Sequence, residues 1–393
     1  MDDSEDFDIF ERVKGKIFKQ RIALSSSEYI PDKIIGRDDE IQQIASLFAP
    51  VLDGDKPLNA FLYGKPGVGK TAVTKYVLVK LDQKIKELQA NVRSVFINCS
   101  LISTTTGILK RMCKVIAPDV VLAPTGNVLS EYYYRLWDVL NTVGGITIIV
   151  LDEIDKLGDD RILYNLSRAC ENMDITSGYI SIFGISNDLM YKERLDARTL
   201  SSFGDNEIVF APYDANELRE ILEDRARIGF HDGVIDYAVI PLCSALAAQE
   251  HGDARKALVL LENAGVVAVE RGSDKITEKD VREAKSRLET DRVIETIKTL
   301  PRHQKLVVSA IFSDESTSVK TNAIYIRYKQ LCAECELELL SKSRISTFIS
   351  ELDMLGLITT RNVYRGRYGR VRLVSPYAPR EKVLGILAES YIT

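Results

Sequence analysis

Gly64-Lys65-Pro66-Gly67-Val68-Gly69-Lys70-Thr71 fits G-x-x-x-x-G-K-[ST], the spacing a backbone needs to wrap the phosphates of a nucleotide. Its glycines permit turns that aim successive N–H groups inward, and a helix beginning at the end of the loop adds positive potential. Lys70 has the reach for the β- and γ-phosphates, and the Thr71 hydroxyl suits Mg²⁺. The apolar run Ala60-Phe61-Leu62-Tyr63 reads as a strand entering the loop; residues 71–78, with Ala72 in the first turn, read as the helix leaving it. Further on, the unbroken apolar run 145–151 reads as a parallel strand buried on both faces. It ends in Asp152-Glu153-Ile154-Asp155. One carboxylate to hold Mg²⁺, Asp152, and one to polarise the attacking water, Glu153, are what nucleoside triphosphate hydrolysis requires. Together the two motifs predict an ATPase or GTPase core.

Three further residues could join that chemistry. Asn187 follows another apolar strand, Ile182-Phe183-Gly184-Ile185-Ser186, where an amide can hold the attacking water beside Glu153. Arg198, in Leu195-Asp196-Ala197-Arg198, has two readings, a trans-acting arginine finger and an ordinary surface arginine. Arg255 stands in the first turn of a helix opened by His251-Gly252-Asp253-Ala254, where a cation opposes the helix dipole and a phosphate ligand would explain it.

The elements that must position these groups follow from periodicity. Strands at about 60–63, 94–98, 146–151, 179–185 and 207–210, mostly separated by helices, predict an α/β fold with a parallel sheet and the nucleotide at its C-terminal edge. A long segment between the second and third strands, 100–143, can hold helices at about 105–117 and 126–142. From 214 to 289 strands stop, and helices at 214–229, 233–249, 253–270 and 277–288 predict an all-α domain; Asp214-x-x-Glu217 and Thr277-x-x-Asp280 have capping spacing. A third domain begins near 292, with helices at 303–312, 322–334 and 342–355, then a hairpin with the basic turn Tyr364-Arg365-Gly366-Arg367-Tyr368-Gly369-Arg370. Three helices and a basic hairpin predict a winged helix-turn-helix. Ser341, Lys342, Ser343 and Arg344 at the start of its third helix, with Arg365, Arg367 and Arg370, are the candidate DNA contacts. The expected division is 1–212, 213–290 and 291–393.

Bulk properties narrow the class. The chain of 393 residues carries a net charge of −5, but 301–393 holds 14 Lys/Arg against 9 Asp/Glu, a local +5 that suits a nucleic-acid surface. No apolar run is long enough for a transmembrane helix, and the acidic start, Met1-Asp2-Asp3-Ser4-Glu5-Asp6, is unlike a signal peptide; cytoplasmic residence is expected. Six scattered cysteines make no disulfide framework, and Cys332-x-x-Cys335 lacks the second ligand pair that zinc needs, so it reads as two small residues on one helix.

As a whole the chain resembles the archaeal replication initiators related to the origin recognition complex and to its helicase-loading partner, which are AAA+ ATPases. The resemblance covers residues 10–393 and rests on GKPGVGKT, IIVLDEID, GISN, FAPYDANELREIL and HGDARKAL. It implies a five-stranded AAA+ core, a helical lid and a C-terminal winged helix. It also implies ATP/ADP and Mg²⁺ as cofactors, with double-stranded origin DNA, the MCM replicative helicase and paralogous initiator subunits as partners, in a nucleoid-associated protein. Gly64 to Thr71 match Walker A, Asp152 and Glu153 Walker B, Asn187 sensor one and Arg255 sensor two. The resemblance further places Tyr213 and Arg225 near base and sugar, and makes 100–143 a DNA-packing helical insertion. Two rivals stand beside it. A hexameric branch-migration motor also joins an AAA+ core to a winged helix, and an ATP-regulated transcription factor would need a sensor domain.

Overall fold

The computed structural model describes residues 16–24, 29–119, 128–203, 206–314, 316–364, 370–377 and 380–391. The chain divides into two compact units between Val281 and Arg282.

In the first unit, helix α1 (Asp38–Phe48) precedes strand β1 (Ala60–Gly64), the phosphate loop and helix α2 (Lys70–Leu88). Then follow β2 (Val92–Asn98), α3 (Thr105–Ile116), α4 (Leu129–Val143), β3 (Gly145–Asp152), α5 (Arg161–Arg168), β4 (Gly178–Ser186), α6 (Ala197–Phe203) and β5 (Glu207–Phe210). The five strands pair in parallel in the order β2-β3-β4-β1-β5. Alternate residues of β3 point to opposite faces, and both faces are covered. Ile148 and Val150 pack with Val73 and Val77 of α2, while Ile149 and Leu151 pack with Met112 of α3 and Leu136 of α4. The described parts of the 100–143 segment therefore form two helices that share the main core. Register aligns the strand ends, pairing Asn98 with Asp152, Asp152 with Ile185 and Tyr63 with Ser186. Residues 64, 152 and 187, remote in sequence, are thereby brought to one edge.

The helical region holds α7 (Ala215–Gly229), α8 (Val239–Gln249), α9 (Ala254–Glu270) and the first turn of α10 (Glu278–Thr299), which from Arg282 onward belongs to the second unit and lends Val293 and Ile297 to its core. The Asp214–Glu217 capping box forms in full. At 277–280 the hydroxyl of Thr277 donates to Asp280 at 2.7 Å, so the Asp caps the Thr rather than the reverse. Two helix boundaries differ from expectation. α8 starts at Val239 rather than 233, because Asp236 folds the preceding residues into a turn, accepting the Val239 N–H at 3.0 Å. α10 runs through the expected stop at 288, since neither Gly nor Pro occurs before Pro301. The N-terminal segment is sewn onto this region: Gly229 O accepts the Lys19 and Gln20 N–H groups at 2.8 and 3.1 Å, and Phe18 stacks on Phe230.

The second unit contains α11 (Arg302–Phe312), β6 (Val319–Lys320), α12 (Thr321–Glu334), α13 (Lys342–Met354), β7 (Ile358–Tyr364), β8 (Arg370–Pro376) and α14 (Arg380–Tyr391). Its sheet runs β6-β8-β7. Leu306, Ile311, Ile324, Ile349 and Val374 meet in one buried core. The short β6 and the closing helix α14, whose Val383 and Leu387 join that core, carry no clear sequence signal. Cys332 is buried on α12, while Cys335 lies exposed just past its end; both are free thiols.

Candidate nucleotide cleft and nucleic-acid interface

A cleft of about 690 Å³ opens beside the phosphate loop. Gly67, Gly69, Thr71 and Ala72 line it, together with Asp152 and Glu153. Tyr213, Arg225 and Arg255 line it too. Gly67 and Gly69 hold φ of +79° and +94°, conformations that an L side chain resists, so the loop needs glycine there. Gly64 ends β1, Lys65 and Pro66 form the exposed apex, and Val68 is fully buried beneath it.

Lys70 is only 4% exposed. Its ammonium donates to Gly64 O (2.7 Å), Lys65 O (2.9 Å) and Asn187 Oδ1 (2.9 Å), which uses all three of its protons. Burial and, next among the lowering effects, the Arg255 charge pull it down to about 8. The β1–β4 register is what makes the Lys70–Asn187 contact possible. Thr71 Oγ1 donates to Asp152 Oδ2 at 3.0 Å. Burial raises the Asp152 carboxyl above its ordinary range, with the Thr71 bond opposing. Glu153 sits in the left-handed region at φ +54°, a strain of about 1–2 kcal/mol for a side-chain-bearing residue. Asp155 accepts from Ser186 Oγ and the Asn187 N–H, both at 3.2 Å, so it steadies the loop that carries Asn187. Burial pushes its carboxyl up, but those bonds and Lys156 outweigh it and leave it below the usual range.

The lid reaches this loop directly. The Asp253 side chain caps α9, accepting the Arg255 and Lys256 N–H groups at 2.9 and 3.2 Å. Ala254 N–H donates to Gly67 O at 3.2 Å. A Cβ on Gly67 would lie 1.7 Å from Asp253 Oδ1. Arg255 is thus carried to the cleft by a turn that touches the phosphate loop. Arg225 is buried, its guanidinium 4.3 Å from the centre of the Tyr29 ring. Arg198 is elsewhere: its side chain is 77% exposed and lines a separate cavity with Asp159 and Arg161.

Arg37, Tyr29 and Asp253 were missed by the sequence reading. Nothing in Ile35-Gly36-Arg37-Asp38 advertises that Arg37 is 3% exposed. Asp253 stands in the run that opens α9, but its contact with Gly67 leaves no local signal.

On the second unit, Ser341, Lys342, Ser343 and Arg344 are exposed at the start of α13, with Ile345, Phe348 and Ile349 buried behind them. The Ser341 hydroxyl is engaged as the N-cap, accepting the Arg344 N–H at 3.3 Å. Lys342 Nζ donates to Asn322 Oδ1 at 3.3 Å, and the Arg344 guanidinium lies 4.7 Å from the Phe348 ring centre. Thr360 Oγ1 donates to Asp353 at 2.6 Å, and Arg372 donates to Ser350 and Thr360 at 3.0 and 3.2 Å, fastening the hairpin strands to α13. Arg365 and Arg367 lie outside the described residues, and Arg370 is described by its backbone alone. Among the described residues no group of side chains could hold a metal as a cluster of three or more His, Cys, Asp or Glu, and no helix is long and apolar enough to cross a membrane.

Comparison with known proteins matches this architecture piece by piece. Residues 33–172 match the AAA ATPase domain, 219–286 the Cdc6 AAA+ ATPase-type lid domain and 295–385 the CDC6 C-terminal winged helix domain. The ORC1-type DNA replication protein of Thermococcus kodakarensis is 44% identical over 96% of this chain and 94% of its own. The ORC1-type DNA replication protein 1 of Methanosarcina mazei is 39% identical over 98% and 94%. Among solved structures, the Aeropyrum pernix ORC1 protein in complex with DNA is 41% identical with a TM-score of 0.76, covering 96% of this chain and 98% of that one. The chain belongs to the archaeal ORC1/Cdc6-type family of DNA replication proteins, with an AAA ATPase domain, a Cdc6 lid and a C-terminal winged helix.

Proposed function

We propose that this protein is an ATP-dependent replication initiator that binds double-stranded origin DNA on the nucleoid and helps recruit or load the MCM replicative helicase. ATP binding and slow hydrolysis act as its conformational switch. The observation that carries the reading is the direct contact of the lid turn with the phosphate loop, through Ala254 and Gly67, on a chain that also presents the exposed start of α13.

In this reading, the loop from Gly64 to Thr71 cradles the phosphates and Lys70 exchanges its present acceptors for phosphate oxygens. The Thr71 hydroxyl and Asp152 carboxylate, 3.0 Å apart, are hard oxygen donors and fit Mg²⁺. Bound there, Mg²⁺ would neutralise charge on the β- and γ-phosphates. Glu153 polarises the attacking water and Asn187 orients it. Arg255 senses the terminal phosphate from α9, which gives the lid different contacts with ATP and with ADP. Tyr213 and Arg225 flank base and sugar. Arg198, remote from its own cleft, serves a paralogous subunit in trans. Turnover is low because the product of the cycle is a change of state. Ser341, Lys342, Ser343 and Arg344, with the hairpin arginines 365, 367 and 370, meet the duplex, supported by the DNA-bound relative of 41% identity.

The test is a footprint of the purified protein on the chromosome of its own organism, with a pull-down of MCM. Protection confined to one or a few intergenic sites, with MCM retained there in ATP, is the expected result. Uniform coverage without a preferred site would contradict it.

A further inference from the structure

A buried arginine without an obvious task connects three parts of the first unit. Arg37 precedes α1 and its side chain is 4% exposed. Its Nε donates to Val68 O of the phosphate loop at 3.1 Å, and Nη2 donates to Ala211 O, just after β5, at 2.5 Å. Nη1 donates to Glu40 at 2.9 Å. The guanidinium also lies 3.9 Å from the centre of the Tyr213 ring. A planar fork can serve several acceptors in its plane while its face stacks on an aromatic ring; an ammonium cannot.

Each partner has its own place in the switch. A trans peptide unit points its C=O and N–H in opposite directions. Anchoring Val68 O therefore fixes the direction of the Gly69 N–H, one of the groups that a phosphate loop turns toward its ligand. Ala211 and Tyr213 lie where the chain leaves β5 for the helical lid. Tyr213 in turn donates its N–H to Gly252 O at 3.3 Å, and its hydroxyl lies where a Cβ on Gly69 would be 2.5 Å away. From Gly252 the chain passes to Asp253 and Ala254, which touch Gly67. The contacts close a ring: phosphate loop, Arg37, hinge, lid turn, phosphate loop.

We propose that Arg37 is a positioning residue that presets the phosphate loop and transmits its nucleotide state to the core–lid hinge. The inference rests on the nucleotide-switch reading above and names the route by which that switch reaches the lid. Glu40 is the local counter-ion of the buried guanidinium.

The experiment compares wild type and Arg37→Lys by calorimetry with Mg-ATP and Mg-ADP, and by hydrogen exchange of 251–258 at saturating nucleotide. Arg37→Lys keeps the charge and loses the fork. Its ATP and ADP affinities should both fall about tenfold, as expected for losing one or two charge-assisted bonds. At saturation, the difference in 251–258 protection between ATP and ADP should vanish. A structural role alone would lower the melting temperature and leave that difference intact at saturation, which would overturn the proposal. Should Arg37→Lys fail to fold, Tyr213→Leu removes the stacked ring at the hinge end; loss of the protection difference supports the route, and its retention overturns it. A wild-type protein that binds no Mg-ATP would instead remove the nucleotide reading and this inference with it.

Discussion

At the cleft, Lys70 spends its ammonium on three protein oxygens, and Thr71 and Asp152 bond each other. At the start of α13, by contrast, Lys342, Ser343 and Arg344 face solvent, the cations resting on aromatic rings. The contrast separates two ways of meeting phosphate. A buried, internally satisfied site can take a ligand only by exchanging partners, so binding moves the groups that lose them. An exposed cationic face needs no rearrangement; it gains affinity by releasing counterions and is correspondingly sensitive to salt. The first arrangement suits a switch and the second suits tracking and docking on a duplex.

The largest expected effect breaks the buried side of this comparison. Lys70→Ala leaves the Asn187 amide and two loop carbonyls without their cation and removes the charge facing the phosphates. Mg-ATP affinity should fall by about a hundredfold or more, since hydrogen bonds to a charged group contribute about 1.5–3 kcal/mol each. Calorimetry measures this, and near-normal affinity would show that the cleft binds through other groups.

A loss of fold stability, rather than of the phosphate charge partner, should follow Gly67→Ala. The new Cβ meets Asp253 at 1.7 Å, at a φ of +79° that alanine resists. Clash and strain together should lower stability by about 3 kcal/mol and the melting temperature by roughly 5–10 °C. Adding Asp253→Ala should recover part of the loss, because the obstructing carboxylate is gone while the strained φ remains. Asp253→Ala alone loses the α9 cap, so the comparison is a double-mutant cycle: a double variant whose loss equals the sum of the two single losses would detach the lid turn from the explanation.

The exposed side predicts the smallest change per residue. Lys342→Ala and Arg344→Ala should each flatten the log–log salt dependence of duplex binding by about 0.9 while leaving Mg-ATP affinity unchanged. An unaltered slope in both would take the start of α13 out of the interface.

Much of this molecule was legible in sequence because its chemistry is local. The phosphate loop, the strand that delivers Asp152 and Glu153, and Asn187 after its own apolar run each carry a signal within a few residues. Parallel pairing then aligned them at one edge. The illegible part is held by backbone atoms. Arg37 bonds the carbonyls of Val68 and Ala211, and any residue type offers a carbonyl, so no pattern pointed to it. Asp253 is illegible for a related reason: its contact with Gly67 joins two loops remote in sequence and leaves no trace in either. Helix ends were misjudged where the stop signal was weak: α10 continued past 288 because no breaker intervened before Pro301. Ser341 carries a second task that the expected DNA contact does not reveal: its hydroxyl caps α13, as a serine at a helix start of this kind does.

If the cleft is an ATP switch, nucleotide binding and turnover are separable there. Glu153→Gln tests it most directly, since the amide keeps the size of the side chain and loses the carboxylate that polarises water. Purified Glu153→Gln protein should retain Mg-ATP at close to wild-type affinity while phosphate release in a single-turnover assay falls by about a hundredfold or more. Hydrolysis at the wild-type rate would contradict the assignment of Glu153 and, with it, the reading of this cleft as the switch.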